Sequence, residues 1–151
     1  MVVNRQHEVA VRPRPLGAFL AKACNLVLPP AAGVAVCLIS DAEIARLNQT
    51  YRKKAGPTDV LSFPANGAGR PEARPRKAIL PPGDTPAHLG DIAISPAAAR
   101  RNARGLGRTV NEELRVLILH GVLHLAGYDH EVDQGQMERY ERRLRRRLGI
   151  G

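Results

Sequence analysis

Residues 120–130 read His-Gly-Val-Leu-His-Leu-Ala-Gly-Tyr-Asp-His, which places histidines at positions 120, 124 and 130. The apolar spacing before and within this stretch predicts a helix, and Gly127 is typical of the residue at which a helix ends. In a helix, His120 and His124 lie on one face, about 6 Å apart along an axis that rises about 1.5 Å per residue. The glycine permits a left-handed turn that returns His130 toward the same point. The spacing therefore predicts that three imidazoles converge.

Three converging imidazoles are a typical ligand set for a transition metal, and we expect one Zn²⁺ ion. Three protein ligands leave one coordination position open for water, which is typical of a catalytic zinc site rather than a closed structural one. Imidazoles also bind nickel, cobalt and copper, so the identity of the ion stays open. The alternative interpretation is that these are ordinary helix and loop histidines. Because a chance match to both spacings is rare, we favour the metal site.

The same spacing occurs in the metzincin peptidases, whose motif is H-E-x-x-H-x-x-G-x-x-H, but position 121 of this chain is glycine. In those peptidases the glutamate takes a proton from the metal-bound water and protonates the leaving amine. Glycine can do neither. Peptide hydrolysis by that mechanism is therefore the least favoured function, unless another carboxylate replaces the glutamate.

The composition favours a polyanionic partner. The chain has 151 residues, a net charge of +9, 44% apolar residues and 3% aromatic residues. A basic surface gains affinity for nucleic acid because each neutralised phosphate releases counterions, although positive charge also suits an anionic membrane or simply aids solubility. The two cysteines, Cys24 and Cys37, are expected to be buried thiols. With no signal peptide and no apolar run long enough to span a bilayer, we expect a cytoplasmic protein without a membrane anchor.

The order of predicted elements indicates one α+β domain over residues 1–151, a small mixed sheet of about four strands packed with four to five helices. Strands are predicted at 7–11, 33–39, 58–64 and 89–94. Helices are predicted at 16–28, from Ser40 and Asp41 toward Tyr51, after Ser95-Pro96, at 109–125 and at 133–148. Ser40 or Asp41, Ser95 and Thr109 are the predicted N-caps of three of them. Residues 65–88 are rich in Gly, Pro, Ala and Arg and lack an apolar period, which predicts a flexible basic loop.

Residues 120–130 closely resemble the signature of the YbeY family of ribosomal RNA maturation factors. Residues 48–54 (Asn-Gln-Thr-Tyr-Arg-Lys-Lys), followed by 57–64 (Pro-Thr-Asp-Val-Leu-Ser-Phe-Pro), resemble the family's central motif. Residues 89–95 (Leu-Gly-Asp-Ile-Ala-Ile-Ser) resemble its sheet-edge strand. The resemblance runs from about residue 33 to the end and is weakest at 65–88.

The resemblance implies a metal-dependent endoribonuclease that prefers single strands, trims the 3′ end of small-subunit ribosomal RNA and takes part in ribosome quality control. Its implied partners are ribosomal RNA, the small ribosomal subunit and its assembly factors. His120, His124 and His130 match the family's metal ligands, and Arg52 matches its functional arginine. The alternative is a non-catalytic ribosome assembly factor in which the metal only braces the fold, and a fourth protein ligand would favour that alternative.

For the catalytic function, we expect a metal-bound hydroxide to attack the phosphodiester. Arg52 is the candidate that stabilises charge on the phosphoryl oxygens, because a guanidinium is always ionised and can hold two oxygens. The general base stays undecided among Asp59, Asp91 and Asp129, and Asp129 is also a candidate hydrogen-bond partner of a ligand imidazole.

The remaining candidates are weaker. Ser62 is a candidate phosphate donor, although a serine in a strand more often satisfies local backbone. For His88 and His7 a non-catalytic role is favoured. The last predicted helix contains six arginines, and this number suggests contact with phosphates. The alternative is that the helix docks on a ribosomal surface. The six arginines are Arg139, Arg142, Arg143, Arg145, Arg146 and Arg147.

Overall fold

The computed structural model describes residues 1–30, 32–65, 88–128 and 133–150. These ranges contain four strands, five α-helices and one π-helical turn. The strands are β1 (Val2–Asn4), β2 (Gly33–Leu38), β3 (Val60–Pro64) and β4 (His88–Ile94). The α-helices are α1 (Pro13–Val27), α2 (Asp41–Leu47), α3 (Pro96–Leu106), α4 (Val110–Leu125) and α5 (Gln136–Leu148), and the π-helical turn (Asn48–Arg52) continues α2.

The four strands form one mixed sheet in the order β1-β2-β4-β3. β1 and β4 are both parallel to β2, whereas β3 is antiparallel to β4 and forms an edge. The predicted α+β class and the small mixed sheet of four strands with five helices are therefore confirmed.

Alternate side chains of the strands point to opposite faces of the sheet and pack into two different clusters. On one face, Val36, Ile92 and Ile94 join the larger core cluster, which includes residues of α1 and α4. On the other face, Cys37 and Phe63 belong to a smaller cluster that includes Ile44 of α2. Because successive strand residues point to opposite faces, the sheet separates α4 from α2 and the π-helical turn.

Three helices begin where the sequence predicts a cap. The hydroxyls of Ser40, Ser95 and Thr109 accept hydrogen bonds from the backbone N–H three residues later, at 3.1 Å in each case. Each bond satisfies an amide that the first helical turn leaves without a partner. Cys24 and Cys37 are free and buried, as predicted, and burial raises the pKa of both thiols.

The first strand was predicted in the wrong place. Residues 7–11 are not a strand, and β1 is Val2–Asn4 instead. The Gln6 side chain explains the difference, because its amide group donates to the Val9 carbonyl and its carbonyl accepts from the Val9 N–H, both at 2.9 Å. These two bonds replace the partners that a sheet would supply and hold the segment in a turn.

The last helix begins three residues later than predicted, at Gln136 rather than Asp133. The Asp133 carboxylate accepts hydrogen bonds from the N–H groups of Gly135 and Met137, at 2.8 and 2.9 Å, so it lies before the helix and satisfies its first amides. Of the predicted loop at 65–88, residues 66–87 lie outside the described residues. In the described ranges, no helix is long and apolar enough to cross a membrane.

Candidate metal centre

The side chains of His120 and His124 meet on one face of α4. Their Nε2 atoms lie 3.0 Å apart, and their ring centroids lie 4.6 Å apart with the rings inclined at 74°. The helix places the two residues one turn apart, as the i and i+4 spacing requires. The His120 side chain is 28% exposed, so the pair is open to solvent on one side.

The end of α4 is fixed by backbone hydrogen bonds just after His124. Gly127 adopts a φ of 102°, a left-handed conformation that glycine adopts without strain. Its N–H donates to the His124 carbonyl at 3.0 Å, and the Tyr128 N–H donates to the Leu123 carbonyl at 3.1 Å. This is a Schellman motif, and it ends the helix at the predicted glycine. Residues 129–132 lie outside the described residues, so His130 and Asp129 stay predictions.

Glu141 of α5 holds the His120 ring from the other side. His120 Nδ1 lies 2.8 Å from Glu141 Oε1, and Arg145 donates to Glu141 Oε2 at 2.9 Å. Burial raises the pKa of the Glu141 carboxyl, but the hydrogen bond and charge interaction with His120, together with the charge of Arg145, outweigh burial and lower it. An ionised carboxylate only accepts hydrogen bonds, so Nδ1 of His120 donates to Glu141. In the neutral ring, the lone pair is then on Nε2, the atom that faces His124 Nε2.

This donor set fits a transition metal. Two nitrogens bound to zinc at about 2.0–2.1 Å with a tetrahedral angle are about 3.3 Å apart, a few tenths of an ångström more than the observed pair. A carboxylate on the outer nitrogen of a ligand imidazole is a common partner at metal sites. Within residues 1–30, 32–65, 88–128 and 133–150, no group of three His, Cys, Asp or Glu side chains is placed to hold an ion. A complete set of three therefore requires a residue outside these ranges, and His130 is such a residue.

Sequence analysis missed Glu141. It lies 21 residues from His120 and among arginines of α5, so no recognisable spacing links the two residues. Asp129, the nearer carboxylate, was the candidate for this role. The packing of α5 against α4 brings Glu141 to His120, and the signal in the sequence was limited to two carboxylates, Glu138 and Glu141, within a basic run.

Asp59 and Asp91 are engaged away from the histidine pair. Asp59 accepts from the Asn102 side-chain amide at 3.0 Å, which joins the start of β3 to α3. Asp91 is buried at 4% exposure and lies 3.1 Å from His88 Nε2. Asp91 pairs across the sheet with Phe63, so its side chain lies on the face opposite α4. Neither residue is brought to the pair, and the general base stays undecided.

Ser62 has a packing role in this structure. Its hydroxyl donates to the Gly121 carbonyl at 3.3 Å and so joins β3 to α4 next to His120. A Cβ at Gly121 would lie 2.8 Å from Ile92 Cδ1 and 2.9 Å from Ile92 Cγ2. Position 121 therefore has no room for the glutamate of the metzincin motif, because the helix lies directly on β4 there.

Arg52 lies at the end of the π-helical turn. The preceding Tyr51 ring packs edge-on against Phe63, with centroids 5.7 Å apart, and Lys53 ends the turn with a φ of 58°. Arg52 is therefore on an element of the smaller cluster, whereas the histidines are on α4, which supplies the larger one. The catalytic role of Arg52 stays a prediction.

The fold and the site define a class of small α+β proteins in which the helix against the sheet carries a histidine pair. The chain belongs to one family of this class: the profile described as "Endoribonuclease YbeY" matches residues 2–149. By that name the family consists of endoribonucleases, which hydrolyse phosphodiester bonds within RNA. The predicted family and reaction class are thus confirmed at the level of the family.

Individual relatives agree with the family. A protein of Koribacter versatilis named "Endoribonuclease YbeY" is 41% identical over 99% of this chain and 86% of its own length. One of the same name from Solibacter usitatus is 46% identical over 75% of this chain, a match that spans 64% of the relative's length. A solution structure of a Thermotoga maritima protein is 28% identical, with a TM-score of 0.61 over 98% of this chain and 89% of the other.

Glu141→Gln is expected to weaken zinc binding about tenfold, because a neutral amide accepts the Nδ1 proton of His120 less strongly and orients the ring less firmly. Competition with a chelating dye measures the affinity. Glu138→Gln is the matched control, since Glu138 lies on the same helix, is 70% exposed and is bonded to Arg142 instead. Equal zinc affinity in the two variants would show that Glu141 does not support the ligand.

Proposed function

We propose that this chain is a zinc-dependent endoribonuclease that cuts single-stranded RNA in the maturation of the 3′ end of small-subunit ribosomal RNA and in ribosome quality control. The observation that carries the proposal is the convergence of the His120 and His124 Nε2 atoms, with Glu141 on the outer nitrogen of His120. Membership in the endoribonuclease YbeY family supports the reaction and its ribosomal RNA substrate.

In the proposed site, His120, His124 and His130 hold the ion, and Glu141 keeps the His120 ring in the tautomer that can coordinate. A zinc ion bound there would lower the pKa of a water molecule toward about 7 and would withdraw electron density from a phosphoryl oxygen. Both effects are what hydrolysis of a phosphodiester at neutral pH requires. The small ribosomal subunit and its assembly factors are the proposed partners.

Arg52 is the proposed charge stabiliser. As the phosphorus centre becomes five-coordinate, negative charge builds on its non-bridging oxygens, and a guanidinium donates to two of them at once. The position of Arg52 in a π-helical turn supports the proposal, since such turns are frequent at functional sites. The closed space at Gly121 supports a nuclease over a peptidase, because the peptidase glutamate has no room there.

The test is cleavage of a single-stranded RNA that carries the small-subunit 3′ end, with the metal content of each protein quantified. We expect the wild-type protein to cut, to stop when the metal is chelated, and to recover when zinc is returned. Arg52→Ala is expected to keep its metal and lose about a hundredfold or more in rate, as removal of one charge-stabilising donor commonly costs.

Arg46→Ala is the matched control, because Arg46 is an exposed arginine of α2 and its loss removes the same charge. Control and wild-type proteins should cut at the same rate. If cleavage persists in every variant and after chelation, the activity comes from a contaminant, and the assembly factor with a structural metal becomes the better account.

A further inference from the structure

Helix α5 carries more positive charge than its own carboxylates compensate. It contains six arginines and two glutamates. Each glutamate is bonded to one arginine four residues later: Glu138 to Arg142 at 2.8 Å and Glu141 to Arg145 at 2.9 Å. Two of the six arginines are thus paired with the two carboxylates of the helix. The helix therefore has four more arginines than carboxylates. These four are Arg139, Arg143, Arg146 and Arg147.

Three of these four line one groove, which we call the arginine groove. It has a volume of about 760 Å³ and is lined by Tyr128, Arg139, Tyr140, Arg142, Arg143 and Arg146, together with Gln136. Arg139, Arg143 and Arg146 follow helical spacing, so they line one face over about 10 Å at about 1.5 Å rise per residue. The volume is within the range of about 300–1,000 Å³ that is typical of sites for small molecules.

Aromatic rings are concentrated in the same groove. The Tyr128 and Tyr140 rings lie 5.3 Å apart at 47°, and the Arg143 guanidinium lies 5.5 Å from the Tyr140 ring centroid. The sequence has three tyrosines and no tryptophan. Two of these three tyrosines, Tyr128 and Tyr140, line the groove. Tyrosine rings and arginine planes are the groups on which unpaired bases stack, whereas arginines also bind the phosphates between them.

The arginine groove is lined by α5 and by Tyr128, which follows the end of α4, the helix that carries the histidine pair. Tyr128 follows His124 by one turn and ends α4 through its bond to the Leu123 carbonyl. On α5, Tyr140 lines the groove and the next residue, Glu141, contacts His120. The groove is therefore lined by the immediate sequence neighbour of the residue that contacts His120.

We propose that the arginine groove binds single-stranded RNA, with phosphates on Arg139, Arg143 and Arg146 and a base against the two tyrosines. The proposal rests on the endoribonuclease function and specifies where its substrate lies. A membrane surface fits less well. Of the aliphatic and methionine side chains of α5, Met137 and Leu144 are buried in the core and Leu148 packs against it, so the arginine-rich face of the helix has none of them to insert into lipid.

The test compares two double variants in binding a short fluorescent single-stranded RNA, followed by anisotropy between about 50 and 200 mM salt. Arg143→Ala/Arg146→Ala changes the groove. Arg104→Ala/Arg147→Ala is the matched control, since both residues are exposed, lie outside the groove lining and remove the same charge. We expect the groove variant to raise Kd about tenfold and to reduce the salt slope by about 1.4, whereas the control changes Kd less than about twofold.

Equal weakening of the two variants would overturn the proposal, because net charge rather than the groove would then set affinity. The proposal also fails if the groove residues are needed for binding vesicles of anionic phospholipid but not for binding RNA. The nuclease function fails separately. A wild-type protein whose RNA binding depends on the groove but which cuts no RNA with zinc supports the groove and refutes the nuclease, and the opposite pattern refutes the groove alone.

Discussion

His124→Ala is expected to lose bound zinc and RNA cleavage together. Structural zinc sites with four ligands are stabilised by about 10–16 kcal/mol, so one ligand accounts for about 2.5–4 kcal/mol, or a factor of about 70 to 900 in affinity. With three proposed ligands, the loss of His124 leaves two, and of these only His120 is on α4. We expect the purified variant to contain almost no metal by atomic emission and to cut at the background rate.

His7→Ala is the matched control for this variant. His7 is exposed in the segment between β1 and α1, so its loss removes an imidazole without touching the pair. The control should match the wild-type protein in metal content and cleavage. Retention of zinc by His124→Ala would place the ion elsewhere, and loss of zinc with full cleavage would show that the metal is not needed for the reaction.

Gly121→Glu is expected to destabilise the fold by at least about 3 kcal/mol. The new Cβ would lie 2.8 Å from the Ile92 side chain, which is fully buried, so α4 must move away from β4. Overpacking of this kind costs about 1–3 kcal/mol, and a carboxylate without a partner in a buried position adds a further penalty. Denaturant unfolding measures the difference from the wild-type protein.

Gly105→Glu introduces the same side chain at a helical glycine where a Cβ meets nothing within 4 Å. Its expected effect is within about 0.5 kcal/mol of zero, because the side chain enters solvent and the helix gains from the loss of glycine. A similar loss of stability in both variants would mean that the contact of α4 with β4 is not what excludes glutamate from position 121, because helix propensity favours glutamate over glycine at both positions.

Sequence patterns predicted best those features that depend on neighbours along the chain. The caps at Ser40, Ser95 and Thr109 depend on residues three positions away, and the histidine pair depends on the helical repeat, so both follow from spacing. β1 was missed because a three-residue strand has almost no pattern of its own. Its parallel pairing with β2 is set by tertiary contacts, and the local bonds of Gln6 decide the turn at 7–11.

Contacts between elements that are far apart along the chain could not be predicted from the sequence. The partner of His120 is Glu141 on a separate helix, and nothing short of the packed structure joins them. Asp91 is the reverse case, in which a residue predicted to be near the site lies away from it. As a carboxylate beside a family-like motif, it was a candidate base, yet strand alternation turns its side chain to the face away from α4.

The Schellman motif at the end of α4 fixes the backbone of the turn that carries His124. Gly127 and Tyr128 secure the last turn through backbone bonds, and Glu141 fixes the ring of His120. Folding therefore bears part of the entropic cost of ordering these two residues. In the proposed metal site, such a preorganised nitrogen pair would accept several divalent ions of similar size without rearrangement, so the supply of metals in the cell would select which one is bound.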